Sequence, residues 1–169
     1  GAAARGADAD LRARLASELW RAAGARGMVG GQLLDLRGEA APVDAAGLER
    51  IHRGKTAALL AAAMRLGGLA AGAGEAALDA LTVYGEELGL AFQITDDVLD
   101  VTGSAEALGK TAGRDRSLGK ATYPSLYGVD GARALARERA ARAVAALRGA
   151  GLESPELESL ARSVVERRR

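Results

Sequence analysis

The chain has 169 residues, with 23 basic against 22 acidic side chains, 49% hydrophobic and 27% charged residues. That length suits one domain, the composition can bury a core under a solvated surface, and the near-zero net charge gives no preference for nucleic acid. The absence of Cys excludes disulfides, a thiol nucleophile and Cys-ligated zinc or iron–sulfur clusters, and a single histidine, His52, removes His-rich metal sites.

No apolar run approaches the roughly 20 residues that span a bilayer, and residues 1–10 lack the apolar core of a signal peptide. The expectation is a cytoplasmic protein with no stable membrane insertion. Leu11, Leu15 and Leu19, with Trp20 beside them, predict an amphipathic helix over about 8–25. After the glycines Gly27, Gly30 and Gly31, a short helix over 28–36 places Gln32 and Asp35 three apart, on one face. Asp44 then serves as N-cap of a long helix to about 71, with Leu48, Ile51, Ala58, Leu59, Ala62, Leu66 and Leu69 on one stripe and Lys55 inside it.

Gly72 and Gly74 close that helix, and Glu75 opens another to about 102 that carries Asp96, Asp97 and Asp100. Residues 103–122 read as a glycine-rich basic loop with a short helical turn, in which Leu108-Gly109-Lys110 is echoed by Leu118-Gly119-Lys120. Helices follow over about 124–147 and 155–168, the second with Ser154 as N-cap and Pro155 at the first helical position. Every long periodic segment has helical spacing, so the class is all-α.

Rare residue types mark places to look. The chain carries 20 Arg but only three Lys (Lys55, Lys110 and Lys120), no Asn, two glutamines (Gln32 and Gln93) and one phenylalanine, Phe92. The strongest chemical signal is the acidic patch. Asp96 and Asp100 lie one turn apart with Asp97 beside them, amid Ala91, Phe92, Ile94, Val98 and Leu99. Ionised and unpaired in a buried helix, each would cost several kcal/mol by order of magnitude, and a place near the helix C-terminus adds roughly 0.3–1 kcal/mol of dipole penalty. Oxygen-only ligands of this kind suit Mg²⁺, which is held by one or two carboxylates and a substrate phosphate. The other reading is that arginines or solvent neutralise the acids. Lys55 is open in the same way: it is directed at phosphate, or it forms a core salt bridge, or its stem snorkels to water.

The run Phe92-Gln93-Ile94-Thr95-Asp96-Asp97-Val98-Leu99-Asp100 resembles the second aspartate-rich motif of the trans-isoprenyl diphosphate synthases, the farnesyl and geranylgeranyl type of the polyprenyl synthetase family. Gly31-Gln32-Leu33-Leu34-Asp35 resembles the GQxxD motif of that family, and Ile51-His52-Arg53-Gly54-Lys55-Thr56 its lysine–threonine motif. Leu108-Gly109-Lys110, through Asp115, to Leu118-Gly119-Lys120-Ala121-Thr122-Tyr123-Pro124 resembles the loop that follows. Order and spacing agree from about Ala16 onward, and all three lysines, both glutamines and the phenylalanine fall within these motifs.

The resemblance implies a helical bundle of the isoprenoid synthase type. The implied activity is condensation of an allylic prenyl diphosphate with isopentenyl diphosphate to a longer trans-prenyl diphosphate, with Mg²⁺ as cofactor and a homodimer as the full-length assembly. It implies that Asp96, Asp97 and Asp100 hold Mg²⁺, Asp96 most directly, and that Lys55 and Lys110 contact the allylic diphosphate while Lys120 closes over the site. It implies further that Thr56, Gln93 and Gln32 supply oxygen dipoles near the allylic carbocation, that Phe92 lines the pocket beside the isopentenyl group, and that Asp115 orients the basic loop. These roles are physically consistent: a departing diphosphate needs preorganised cations, and the carbocation a dry pocket with weak dipoles.

The first aspartate-rich motif of such synthases, its following arginine pair and the upstream isopentenyl diphosphate site have no match here. The expectation is therefore that 1–169 form the C-terminal half of a single isoprenoid synthase domain, inactive alone. Two rivals are weaker. A class I terpene cyclase needs Asn or Asp, then Ser or Thr, then Glu in its second metal motif, against a run here that ends in Asp100. A non-catalytic partner subunit of a heteromeric synthase has little reason to keep every diphosphate ligand.

Overall fold

A computed structural model of the chain describes residues 8–38, 43–106 and 121–167, and every regular element among them is helical, as the periodicity predicts. Helix α1 spans Ala9–Ala23 and α2 Met28–Gly38. Helix α3, Ala45–His52, runs through a π-helical turn, Arg53–Ala57, into α4, Ala58–Ala70. The long α5, Glu75–Glu106, is followed by α6, Tyr123–Gly149, and α7, Pro155–Glu166.

Local capping chemistry sets most boundaries. Asp8, Asp44 and Ser154 accept hydrogen bonds from the backbone N–H of Leu11, Gly47 and Leu157 at 2.7, 2.7 and 3.3 Å, and Thr122 and Ser125 form a reciprocal capping box at the start of α6. Each such cap contributes about 0.5–2 kcal/mol.

Two departures from the expected helices matter. The unbroken helix expected over 44–71 instead carries the π turn, where α2 comes within backbone contact: a Cβ on Gly31 would lie 2.1 Å from the Lys55 nitrogen. Helix α6 breaks after its first turn at Gly128, whose φ of 71° is open to glycine at little cost. The short helical turn expected within 103–122 lies mostly outside the described residues.

Helix α5 is the central element. Its Tyr84, Leu88 and Ala91 pack with Ala140, Ala143 and Leu147 of α6 and Ala161 and Val164 of α7, while its Ile94 and Val98 pack with Leu48, Tyr123, Ala132 and Ala136. On its other side, Gly85 and Gly89 of α5 lie against Ala61 and Ala57, where an added Cβ would come within 2.4 and 2.5 Å of their Cα atoms, and this approach brings the polar residues of α5 beside the π turn. A partly buried ion network ties α3 and the π turn to α5 and α6: Arg139 bonds Glu49 and Glu87 at 2.9 and 3.2 Å, and Arg53 bonds Glu49 and Glu86 at 2.8 and 3.0 Å. By contrast Leu19, Trp20, Val29, Leu33 and Leu36 of α1 and α2 are exposed, so the apolar stripe read along 8–25 is only partly covered.

Burial raises the Tyr84 phenol to about 12, and burial together with the Glu49 carboxylate raises Tyr123 still further. The native state therefore keeps protons that an unfolded chain gives up near pH ~10. This contribution is complete below that pH and is lost as pH rises toward the folded values. In an alkaline titration followed at 295 nm, Tyr84 and Tyr123 are expected to ionise together with the loss of helical circular dichroism. Ionisation of all the tyrosines before unfolding would contradict their burial.

Candidate substrate and metal site

The π turn presents Lys55 and Thr56, a backbone irregularity that recurs at functional sites. Lys55 Nζ bonds the carboxylate of Asp35 at 2.5 Å; Asp35 is buried and the lysine half-buried. The core salt bridge considered for Lys55 is thus present, and it fixes the ammonium in one place without enclosing it. Of the pair expected on one face of α2, only Asp35 turns inward, and Gln32 is exposed. Three residues advance a helix by about 300°, leaving the two side chains about 60° apart, and the edge of the buried face falls between them.

Thr56 Oγ1 donates to Gln93 Oε1 at 3.0 Å, joining the π turn to α5. Gln93 and Asp96 are three apart on α5, so amide and carboxylate are neighbours on one side of that helix. Phe92 is half-buried against the core, and the guanidinium of Arg167 lies over its ring, 4.5 Å from the centroid. The same guanidinium donates to Asp96.

The three aspartates do not form one cluster. Asp97 is buried and accepts a hydrogen bond from the Tyr123 N–H at 3.0 Å, where α6 begins. Among the described residues no three His, Cys, Asp or Glu side chains are grouped to hold a metal. Asp96 and Asp100, four apart, remain on the outer side of α5, Asp96 half-buried and Asp100 exposed. A pair of carboxylate donors fits Mg²⁺, whose remaining positions are filled by water and substrate oxygens. The dipole penalty expected of these acids is small, because α5 continues to Glu106 and the effect is confined to the last turn. The protein itself supplies much of the compensation the acids were expected to need, through Arg167 and the Tyr123 N–H.

Lys110, Asp115 and Lys120, expected to grip diphosphate from the basic loop, lie outside the described residues. Arg167 was not foreseen as a site residue, although the closing basic run Arg167-Arg168-Arg169 was a visible signal. Nor was the Glu49–Arg53–Glu87–Arg139 network, whose hint in sequence was the adjacent pair Glu86 and Glu87 in a mostly apolar helix.

These features define an all-α helical bundle with an ammonium and a hydroxyl on the π turn and an amide and carboxylates on α5. Comparison with known proteins makes the class specific. The family described as Polyprenyl synthetase matches residues 14–150. The chain is 48% identical over 160 residues to farnesyl diphosphate synthase of Escherichia coli strain K12, covering 92% of this chain and 54% of that protein. It is 48% identical over 128 residues to geranylgeranyl pyrophosphate synthase 9, chloroplastic, of Arabidopsis thaliana, covering 74% and 36%. Among solved structures, polyprenyl synthase from Caulobacter crescentus CB15, complexed with calcium and isoprenyl diphosphate, superposes with a TM-score of 0.80 at 32% identity, over 92% of this chain and 60% of that one. Geranyltransferase from Helicobacter pylori, complexed with magnesium and isoprenyl diphosphate, gives 0.75 at 28% identity, over 95% and 52%. The chain belongs to the polyprenyl synthetase family. It spans about half the length of the curated farnesyl diphosphate synthase it matches.

Proposed function

We propose that this chain serves a Mg²⁺-dependent prenyltransferase that condenses an allylic prenyl diphosphate with isopentenyl diphosphate to a longer trans-prenyl diphosphate. The observation that carries the reading is the hydrogen bond from Thr56 on the π turn to Gln93 on α5, next to Lys55 held by Asp35 and one helical turn before Asp96. The isoprenyl diphosphate bound with magnesium or calcium in two solved structures similar to this chain supports it.

In the reaction, the allylic C–O bond breaks and its electron pair leaves on the diphosphate. The alkene of isopentenyl diphosphate attacks the allylic carbon, and loss of a proton forms the new double bond. Lys55 holds the departing diphosphate, and Asp35 keeps the ammonium from turning to solvent. Thr56 and Gln93 face the cationic carbon as weak dipoles that do not trap it, and Phe92 walls the alkene pocket. Asp96 and Asp100 would hold Mg²⁺, with Asp97 fixed behind them; when bound, the ion supplies positive charge to the developing diphosphate. Lys110, Asp115 and Lys120 complete the diphosphate grip, and Gln32 contributes at its margin. No helix among the described residues is long and apolar enough to cross a membrane. A cytoplasmic location and a homodimer complete the reading as what the family resemblance implies, and the exposed apolar residues of α1 and α2 offer a surface for a second copy.

The test is incorporation of labelled isopentenyl diphosphate into a prenyl product by the intact protein with Mg²⁺ and an allylic diphosphate. Absence of product, with stimulation of a second synthase, would establish the partner-subunit reading instead. Lys55→Ala is expected to weaken binding of a non-ionising allylic diphosphate analogue about 10- to 100-fold, the range for hydrogen bonds to charged groups. Calorimetry checks this, and unchanged affinity would leave Lys55 only a structural partner of Asp35.

A further inference from the structure

Helix α7 delivers Arg167 to the acidic face of α5 from a rigid base. Ser154 caps its start, the Tyr84 hydroxyl donates to the Leu157 carbonyl at 2.8 Å, and Ala161 and Val164 are buried in the core. Val165, two residues before the arginine, packs against both core clusters. The arginine that follows is therefore placed by packed helix. Its guanidinium stacks on Phe92 and bonds Oδ1 of Asp96, with the two side chains about one-third exposed, at 29% and 35%. A planar guanidinium suits this double contact with a ring face and a carboxylate, and a lysine would lose the stacking.

We propose that Arg167 is a latch on the metal site: it occupies the Asp96 carboxylate when no metal is bound and must leave for a divalent cation to enter. The inference rests on the reading of Asp96 as a metal ligand. A guanidinium bonded to Oδ1 takes a lone pair that a divalent ion needs, and two cations on one carboxylate repel each other. The docked arrangement is also reversible by construction. Arg167 Nε is buried with no hydrogen-bond partner among the described residues, so docking leaves one donor unmet, and release returns it to water. The carboxylate face is thus balanced without metal, and metal entry is coupled to undocking of the residue that follows α7.

Mn²⁺ binding to the purified chain, measured by calorimetry and electron paramagnetic resonance, tests the latch. Arg167→Ala is expected to tighten Mn²⁺ binding about three- to tenfold, the range of an ion pair of this exposure with a charge-assisted hydrogen bond. Arg167→Lys, which keeps the charge and loses the stack, falls between it and the wild type. Arg162→Ala removes an exposed cation from the same helix and is expected to change the affinity less than about twofold, separating displacement from a general field effect. If Arg167→Ala binds no tighter than wild type while Asp96→Ala abolishes binding, the latch is wrong and the metal reading stands. If none of the proteins binds Mn²⁺, the metal reading fails and the latch with it.

Discussion

Asp96→Ala is expected to lower the proposed prenyl-transfer turnover of the intact protein about 10²–10³-fold, the scale for removing one preorganised stabilising group from a site of developing charge. In the proposed reaction, departure of the diphosphate develops one further unit of negative charge on an already anionic group, and the carboxylate proposed to anchor the counter-cation cannot be replaced by water without losing its position. The fold should survive. Asp96 is about one-third exposed, it pairs with the similarly exposed Arg167, and alanine has the higher helix propensity. Stability is therefore expected to change by no more than about 1 kcal/mol. Steady-state rates with circular dichroism at the same temperature separate the two effects, and undiminished condensation by the folded variant would remove the metal assignment.

Gly31→Ala is expected to cost about 1–3 kcal/mol of stability, the range for overpacking a tight contact, and to lose diphosphate affinity as well. The added Cβ would lie 2.1 Å from the Lys55 nitrogen, 2.5 Å from the Gly54 carbonyl carbon and 2.8 Å from the Lys55 Cα. All three are backbone atoms, so no side chain can swing aside and α2 must draw back from the π turn. The Lys55–Asp35 bond spans that same contact, because Asp35 is on α2 and Lys55 on the turn. One methyl group should therefore act at two levels: it loosens the helix pair and frees the ammonium. Gly67→Ala is the contrast, since its added Cβ would meet no packed neighbour within 4 Å and the residue is exposed inside α4; it is expected to stabilise by about 0.5–1 kcal/mol. Urea denaturation measures both variants, and Gly31→Ala as stable as the parent would contradict the close contact.

The helices were legible because their signals are local. Apolar spacing, the caps Asp44 and Ser154 and the border prolines Pro124 and Pro155 act within a few residues, and the structure places helix ends close to where they point. The four motifs likewise named which residues to inspect. Their partners were not legible, because each partner arrives through tertiary packing. Whether Lys55 meets phosphate or carboxylate depends on α2 lying against the π turn, and the turn itself accompanies the approach of Gly31 to Gly54. Asp97 faces inward because α6 begins beside it at Tyr123, and Asp96 meets a guanidinium carried by the last helix. Spacing on α5 alone shows three acids side by side and cannot sort them by neighbour.

The π turn gives the stretch from Ala45 to Ala70 a property that no single side chain carries. An inserted residue rotates everything beyond it by about 100° relative to a continuous α-helix, so α3 and α4 run out of phase with one another. Leu48, Ile51 and His52 are buried ahead of the turn, and Ala61, Ala62 and Leu69 beyond it. Deleting one residue within Arg53–Ala57 would bring the two halves back into step and swing Lys55 off Asp35, while every neighbouring side chain kept its identity. Reading frame along this helix, as much as residue type, therefore sets where the ammonium points, and an indel there is more disabling than a conservative exchange.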